Sequence, residues 1–207
     1  MTALIERGHS VYAVGGCVRD SLLGRDPADR DLASSALPEE IFNALGGEIT
    51  GGKYGTVTVQ GIEITPFRRE GKYTDHRRPD FIEFVTDLKT DLSRRDFTVN
   101  AMAVGIDGRV TDIFNGLGDL ERKLIRTVGD PKLRFEEDAL RILRALRFAA
   151  VLDFEIEEET FLALSEYAHT LRFLTKTVIR REMDKLRAGV AAERILSKME
   201  HLLRYYD

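Results

Sequence analysis

A single cysteine, Cys17, occurs in the 207 residues. It can close no internal disulfide and cannot build a cysteine-based zinc cluster. No apolar run approaches the roughly 20 residues of a membrane span, and there is no signal-peptide pattern, so a soluble cytoplasmic protein is expected. Neither sign of charge dominates: 31 basic side chains stand against 35 acidic ones, for a formal net charge of −4. That balance excludes a generally basic nucleic-acid coat while permitting local basic patches. Internal repeats and low-complexity tracts are absent. So are the GxGxxG and Walker patterns, which leaves dinucleotide and P-loop readings unsupported.

What is present is enough apolar material for a proper core. Hydrophobic residues make up 43% of the chain, and the length suits one large domain or a domain with a helical extension. TALIERGHS reads as a helix end closed by Gly8, VYAVGG as a buried strand, and CVRDSLLG as a helix stopped by Gly24. RDLASS is a second strand. ALPEEIFNALGG is a well-marked helix, with proline near its start and acids in its first turn. GTVTVQGIEITPF alternates and turns at Gly61, predicting a hairpin, and FIEFV is another strand. FTVNAMAVGIDGRVTDIF predicts a helix and then a strand pair turning at Asp107-Gly108. Leucine and alanine periodicity takes over from about residue 130, which puts a domain boundary near 125–135.

Two short stretches carry chemistry. In DRD, Asp29 and Asp31 are two apart, so on an extended strand both carboxylates project from one face while Arg30 points away. Such a pair suits a hard cation such as Mg2+, which relieves their repulsion. Glu63, in GIEIT, is a candidate third acid from a neighbouring strand. Gly15 and Gly16 end a strand and open a helix, where a phosphate can approach the backbone amides, and Arg19 in that helix can add charge-assisted contacts. Asp-x-Asp and Gly-Gly are each commonplace in turns; it is the combination that carries weight.

The second stretch is helical. Asp138, Arg141, Arg144 and Arg147 recur every third residue in EEDALRILRALRF, each about 60° around the axis from the last on one helix expected over 136–150. By itself the Asp138–Arg141 spacing describes an ordinary surface ion pair. In RRDFT, Asp96 has the place of a helix N-cap beside two arginines. Cys17 reads as core packing and His76 as an ordinary loop histidine. Lys176, Arg180, Arg181, Lys185 and Arg187 form a basic cluster that suits an RNA backbone as well as it suits a solvated face.

VYAVGGCVRDSLLGRDPADRDLASSALPEE resembles the N-terminal signature of the class II tRNA nucleotidyltransferases and bacterial poly(A) polymerases, in the polymerase-β superfamily. The similarity continues in GTVTV, IEITPFR, EGKYTDHRRPD, DLSRRDFTVNAMA, DIFNGLGDLERKLIRTVGDP and RFEEDALRILRALRFAA, across roughly residues 11–155. The resemblance implies an α+β fold, with a polymerase-β-like head over 1–130 and an all-helical neck over 131–207. It implies C or A addition to a tRNA 3′ end from CTP and ATP. Asp29, Asp31 and Glu63 would be catalytic, with Mg2+ on Asp29 and Asp31. Gly15, Gly16, Arg19 and Arg95 would meet the nucleotide, Arg95 at its triphosphate. The EDxxR motif, matched by Glu137, Asp138 and Arg141, would select the base, and Arg144 and Arg147 would position nucleotide or helix.

The chemistry of that selection is specific. A carboxylate only accepts hydrogen bonds and a guanidinium only donates them, so Asp138 with Arg141 would match the pairing edge of C or A and leave unpaired groups against U or G. The segment EGKYTDHRRPD corresponds to the family's loop for switching from C to A. Family members typically continue through further helical domains that hold the tRNA. A poly(A) polymerase and a non-catalytic RNA-binding module on the same scaffold are the competing readings.

Overall fold

The structure, a computed structural model, describes residues 1–27 and 29–203, with side chains through Lys198. It divides into two compact units. The first comprises 1–71, 81–95 and 99–117; the second comprises 72–80, 96–98 and the chain from Gly118 onward.

In the first unit, α1 (Thr2–Ile5), β1 (Val11–Val14), α2 (Gly16–Leu22), β2 (Asp31–Ser34) and α3 (Pro38–Leu45) come in turn. They are followed by β3 (Glu48–Thr50), β4 (Thr56–Val59), β5 (Ile62–Pro66), β6 (Arg68–Glu70), β7 (Ile82–Phe84), α4 (Leu88–Ser93), β8 (Met102–Val104) and β9 (Val110–Asp112). Seven strands form one sheet in the order β3-β4-β5-β2-β1-β8-β9. Among the described residues of this sheet only β2 and β5 pair in parallel; its other pairings are antiparallel. This is the mixed sheet of an α+β head. A parallel pair needs a crossover longer than a hairpin turn, and α3, β3 and β4 supply it.

Alternation along the strands divides the apolar side chains between the two faces. Leu4, Val11, Ala36, Ile41, Val57 and Ile64 cluster with α1 and α3. Val14, Ala33, Phe67, Leu92 and Ala103 form a second cluster, to which α4 contributes Leu92. The expected hairpin is present, turning at Gln60 and Gly61, both at positive φ (50° and 82°), as a tight two-residue connection requires. The helix expected in FTVNAM is instead one 3-10 turn, Thr98–Asn100. Thr98 donates its backbone N–H to Arg126 O, which diverts the chain before an α-helix can propagate.

The second unit contains α5 (Gly116–Glu121, begun in the first), β10 (Leu124–Ile125), α6 (Pro131–Glu137), α7 (Leu140–Leu152), β11 (Glu155–Ile156), α8 (Glu158–Tyr167), α9 (Lys176–Arg187) and α10 (Ala192–Leu203). It is predominantly helical, but β10 and β11 pair in parallel, an addition to the all-helical expectation. Two-residue strands leave no alternation to read in a sequence. The helix expected over 136–150 is broken at Asp138, whose backbone is extended (φ −139°, ψ 103°). Among the described residues no helix is long and apolar enough to cross a membrane.

α7 buries Ile142, Leu143, Ala145, Leu146, Ala149 and Ala150, and α9 buries Ile179, Met183 and Leu186. After α9 the chain passes close to α7: a Cβ on Gly189 would lie 2.6 Å from the carbonyl carbon of Ala150. Ala191 N–H donates to Ala150 O at 3.0 Å just beyond. The neighbour is backbone and cannot yield cheaply. Gly189→Ala is therefore expected to destabilise the protein by about 1–3 kcal/mol, read as a lowered denaturant midpoint at unchanged slope.

Candidate functional site

The strand register of the first unit creates a row of facing positions. Asp31 pairs with Glu63 across β2 and β5, and with Val14 across β1 and β2. Cross-strand partners share a face, so the two acids stand side by side, with Asp31 bordering the apolar cluster of Val14 and Ala33. β2 begins at Asp31, so Asp29 sits in a bend outside the strand and is exposed. The shared face expected for Asp29 and Asp31 thus does not come from strand geometry. The two remain electrostatically close nonetheless. Burial pushes the Asp31 carboxyl above its ordinary value, the neighbouring Glu63 and Asp29 push it further, and Arg95 partly offsets them.

Gly15 joins this group. Its backbone (φ 76°, ψ −140°) is one that side chains rarely adopt. A Cβ there would stand 3.3 Å from Arg95 Nη1 and 4.0 Å from Asp31 Oδ2. The missing side chain therefore lets a cation and a carboxylate close on the β1–α2 turn. Gly16 opens α2, and Arg19 lies near it, Nη2 at 3.4 Å from where a Gly16 Cβ would be. Arg19, expected at a phosphate, is buried with its fork turned to protein groups. It donates to Asp20 at 2.8 and 2.9 Å and to Asn100 Oδ1 at 2.6 Å. It thereby ties α2 to the segment after RRDFT. Cys17 is buried as expected, its thiol 3.1 Å from Val14 O.

The donor set fits a divalent cation. Asp29 and Asp31 are hard oxygen donors, and Asp31 carries a charge that its surroundings disfavour. Among the described residues no three His, Cys, Asp or Glu side chains are arranged to hold a metal, so Glu63 borders the pair without completing a protein cage. Mg2+ commonly takes one or two carboxylates and fills its remaining positions with water and substrate phosphate, so two suffice.

In RRDFT the two arginines differ. Arg94 is held by the buried Asp91 at 2.7 Å and by Glu70 at 3.4 Å. Arg95 takes Asp91 Oδ2 through Nη2, at 3.1 Å, while Nη1 lies against Gly15. Asp96 precedes a 3-10 turn and not the expected α-helix; its Oδ1 accepts from Phe97 N–H and its Oδ2 from Arg144 Nε at 2.7 Å.

The second unit holds the other group of residues. Because the helix breaks at Asp138, the spacing-based ion pair with Arg141 is not made. Asp138 Oδ1 instead accepts from Leu140 N–H at 2.9 Å, capping the new helix start, and Oδ2 accepts from Arg77 Nη1 at 3.1 Å. Aspartate ahead of an apolar helical run is an N-terminal signal that could have revealed this. Arg141 donates to Glu137 Oε2 at 2.7 Å and to Arg134 O at 3.1 Å, with its guanidinium 5.8 Å from the Tyr73 ring. Arg147 pairs with the buried Glu182 at 3.0 Å. Arg144 and Arg147 both lie over the Phe148 ring, so they brace α7.

Burial raises the Asp138 carboxyl, against the lowering effect of Arg77, Arg141 and Arg144. His76 works structurally: its ring stacks 4.5 Å from Phe173, and Nδ1 lies 2.8 Å from Glu136 O. Nothing in the sequence singled out Arg77 or Asp91. For Asp91, the i+3 and i+4 spacing to Arg94 and Arg95 was the available signal. On α9, Lys176, Arg180, Arg181, Lys185 and Arg187 are all exposed.

Residues 11–126 match the Poly A polymerase head domain. The chain belongs to that family. A CCA-adding enzyme of Lactococcus lactis subsp. lactis is 51% identical over 194 residues, covering 90% of this chain and 49% of the relative. One from Limosilactobacillus fermentum is 47% identical over 96% of this chain and 51% of its own length. The chain thus spans about half the length of the curated relatives it matches. A Bacillus stearothermophilus CCA-adding enzyme in complex with CTP superposes with a TM-score of 0.86 at 39% identity, over 98% of this chain and 49% of that one. The Thermotoga maritima CCA-adding enzyme complexed with tRNA_CCA gives 0.76 at 30% identity, over 95% and 47%.

The electrostatics of this family head yield a test. A raised carboxyl pKa means the folded state holds its proton more tightly than the unfolded chain does, so stability falls as pH rises through that raised value. With chelator present, Asp31→Asn should raise the thermal midpoint at pH 8, and the gain should fade as pH approaches about 4. Divalent cation should raise the wild-type midpoint and leave that of Asp31→Asn unmoved. Thermal unfolding across pH, with chelator or with Mg2+, measures both.

Proposed function

We propose that the chain carries the catalytic and nucleotide-selecting parts of a CCA-adding tRNA nucleotidyltransferase. It adds C and A, without a nucleic-acid template, to the 3′ end of tRNA in the cytoplasm. The observation that supports this reading best is the convergence of Gly15, Asp31 and Arg95 in a family head whose curated relatives bear that name. The functional division assigns the chemistry to a head over 1–130 and base selection to a neck over 131–207.

The primer 3′-hydroxyl attacks the α-phosphorus of CTP or ATP in line. A P–O bond forms there, the bond to the β-phosphate breaks, and pyrophosphate leaves. Asp29 and Asp31 would hold Mg2+, which would supply activation of the hydroxyl and neutralisation of the leaving group. Glu63 keeps the local field negative, and so favours the cation. Gly15 leaves room for phosphate at the backbone, and Arg95 takes triphosphate charge. Arg19 holds the turn of Gly15 and Gly16 in place through Asn100. No covalent intermediate on the protein is required.

Asp138 and Arg141 read the base by accepting from its amino group and donating to its ring nitrogen. In this structure Asp138 is engaged by Arg77, from the loop corresponding to the C-to-A switch. Release of that contact frees the carboxylate for a base. The exposed basic face of α9 suits the tRNA backbone.

Asp31→Ala should lower Mg2+-dependent pyrophosphate release at least about a hundredfold, the loss expected when several kcal/mol of metal-borne stabilisation is removed. Its circular dichroism should be unchanged. The assay uses tRNA ending at the discriminator base, at C and at CC, with each nucleotide in turn. Long A-only products would favour a poly(A) polymerase, and no turnover with any primer would favour an RNA-binding module.

Asp138→Ala should equalise use of the four ribonucleotides. In the wild type, discrimination against U and G should weaken as pH falls toward the raised Asp138 pKa, because a protonated carboxyl donates where it should accept. Incorporation ratios measured between pH 8 and pH 5 check the sign.

A further inference from the structure

Among the described residues of the first unit, one buried acid has no part in the proposed chemistry. Asp91 is fully buried. Its Oδ1 accepts from Arg94 Nε and Nη2 at 3.0 and 2.7 Å and from the backbone N–H of Arg68 at 3.2 Å. Its Oδ2 accepts from Arg95 Nη2 at 3.1 Å. Burial by itself would raise the carboxyl, but Arg94 and Arg95 override it and hold it below the ordinary range, so it is ionised. Glu70 lies alongside, accepting from Arg68 at 2.9 Å and Arg94 at 3.4 Å.

Within this group three guanidiniums gather on two carboxylates, and they are disposed differently. Arg68 and Arg94 both reach Glu70. Arg95 directs one nitrogen to Asp91 and the other to the turn at Gly15, beside Asp31. Asp91 itself is carried on α4, anchored by the N-cap of Asp87 on Thr90 N–H. A flexible arginine would lose much rotamer freedom on gripping a phosphate; one already held by a buried carboxylate loses less.

We propose that Asp91 is the positioning residue for Arg95: it fixes the guanidinium by one nitrogen so that the other is aimed at the β- and γ-phosphates of the incoming nucleotide. This rests on the reading of Arg95 as a triphosphate contact and adds what aims it. The effect therefore belongs to triphosphate binding and not to the base or sugar, and it passes wholly through Arg95.

The test compares CTP and CMP binding by calorimetry, with Mg2+ and no primer, in wild type, Asp91→Asn, Arg95→Ala and the double variant. Asp91→Asn should weaken CTP about tenfold, the size of one charge-assisted hydrogen bond, and leave CMP unchanged. In the Arg95→Ala background it should cost nothing further. Equal weakening of CTP and CMP, or losses that add in the double variant, would overturn the proposal. Wild-type CTP affinity in Arg95→Ala would overturn the triphosphate reading itself, and this inference with it.

Should Asp91→Asn fail to fold, Arg95→Lys decides. It keeps the charge, but a single ammonium cannot span both Asp91 and phosphate. CTP binding as weak as in Arg95→Ala supports the positioning role, and wild-type affinity refutes it.

Discussion

A half-buried carboxylate beside two others is an unfavourable arrangement, and the first unit is organised around keeping one. The parallel pairing of β2 with β5 sets Asp31 beside Glu63, and the apolar cluster of Val14 and Ala33 removes water from one side. Repulsion and desolvation both oppose the ionised form, and a divalent cation would relieve the repulsion. The surrounding features reduce the penalty without abolishing it. Arg95 supplies opposite charge, and Gly15 omits the side chain that would keep Arg95 and Asp31 away from the β1–α2 turn.

Other buried carboxylates in the molecule are used differently, each collecting cationic donors. Asp91 holds Arg94 and Arg95. In the second unit Asp96 holds Arg144, and Asp119 takes Thr98 at 2.6 Å together with Arg122 and Arg126. Pairs of this kind contribute little net stability when formed, but losing one partner costs roughly 3–5 kcal/mol because a buried charge is left behind. Their value here is geometric. They fix guanidinium forks that would otherwise be mobile. Asp31 is the contrasting case, with like charges as its nearest neighbours. That contrast sets Asp31 apart from the structural acids more clearly than sequence spacing does.

In the second unit the polar contacts depend on a helix that stops and restarts. A continuous helix would have placed Asp138 one turn from Arg141 and spent each on the other. The break sends Asp138 to Arg77 and leaves Arg141 with Glu137. An acceptor-only and a donor-only group with separate partners can each be exchanged for a complementary edge on a base.

The local elements were legible in the amino-acid sequence wherever period and punctuation agreed. The β4–β5 hairpin, the helix from Pro38, the β8–β9 pair and the amphipathic helices after residue 130 all follow from alternation, caps and turn residues, which act over a few positions. The DRD acids, the double glycine and the RRD arginines were identifiable as chemical types. Only the tertiary structure decided their partners. Arg19 turned to Asn100, 81 positions away, and Asp138 found Arg77, 61 positions away. Asp91 takes Arg94 and Arg95 at a spacing present in the sequence, but packing decided that the carboxylate is fully buried. The reason is range: backbone preferences are set by near neighbours, whereas the partner of a buried charge is set by whichever distant group packing brings within about 3 Å.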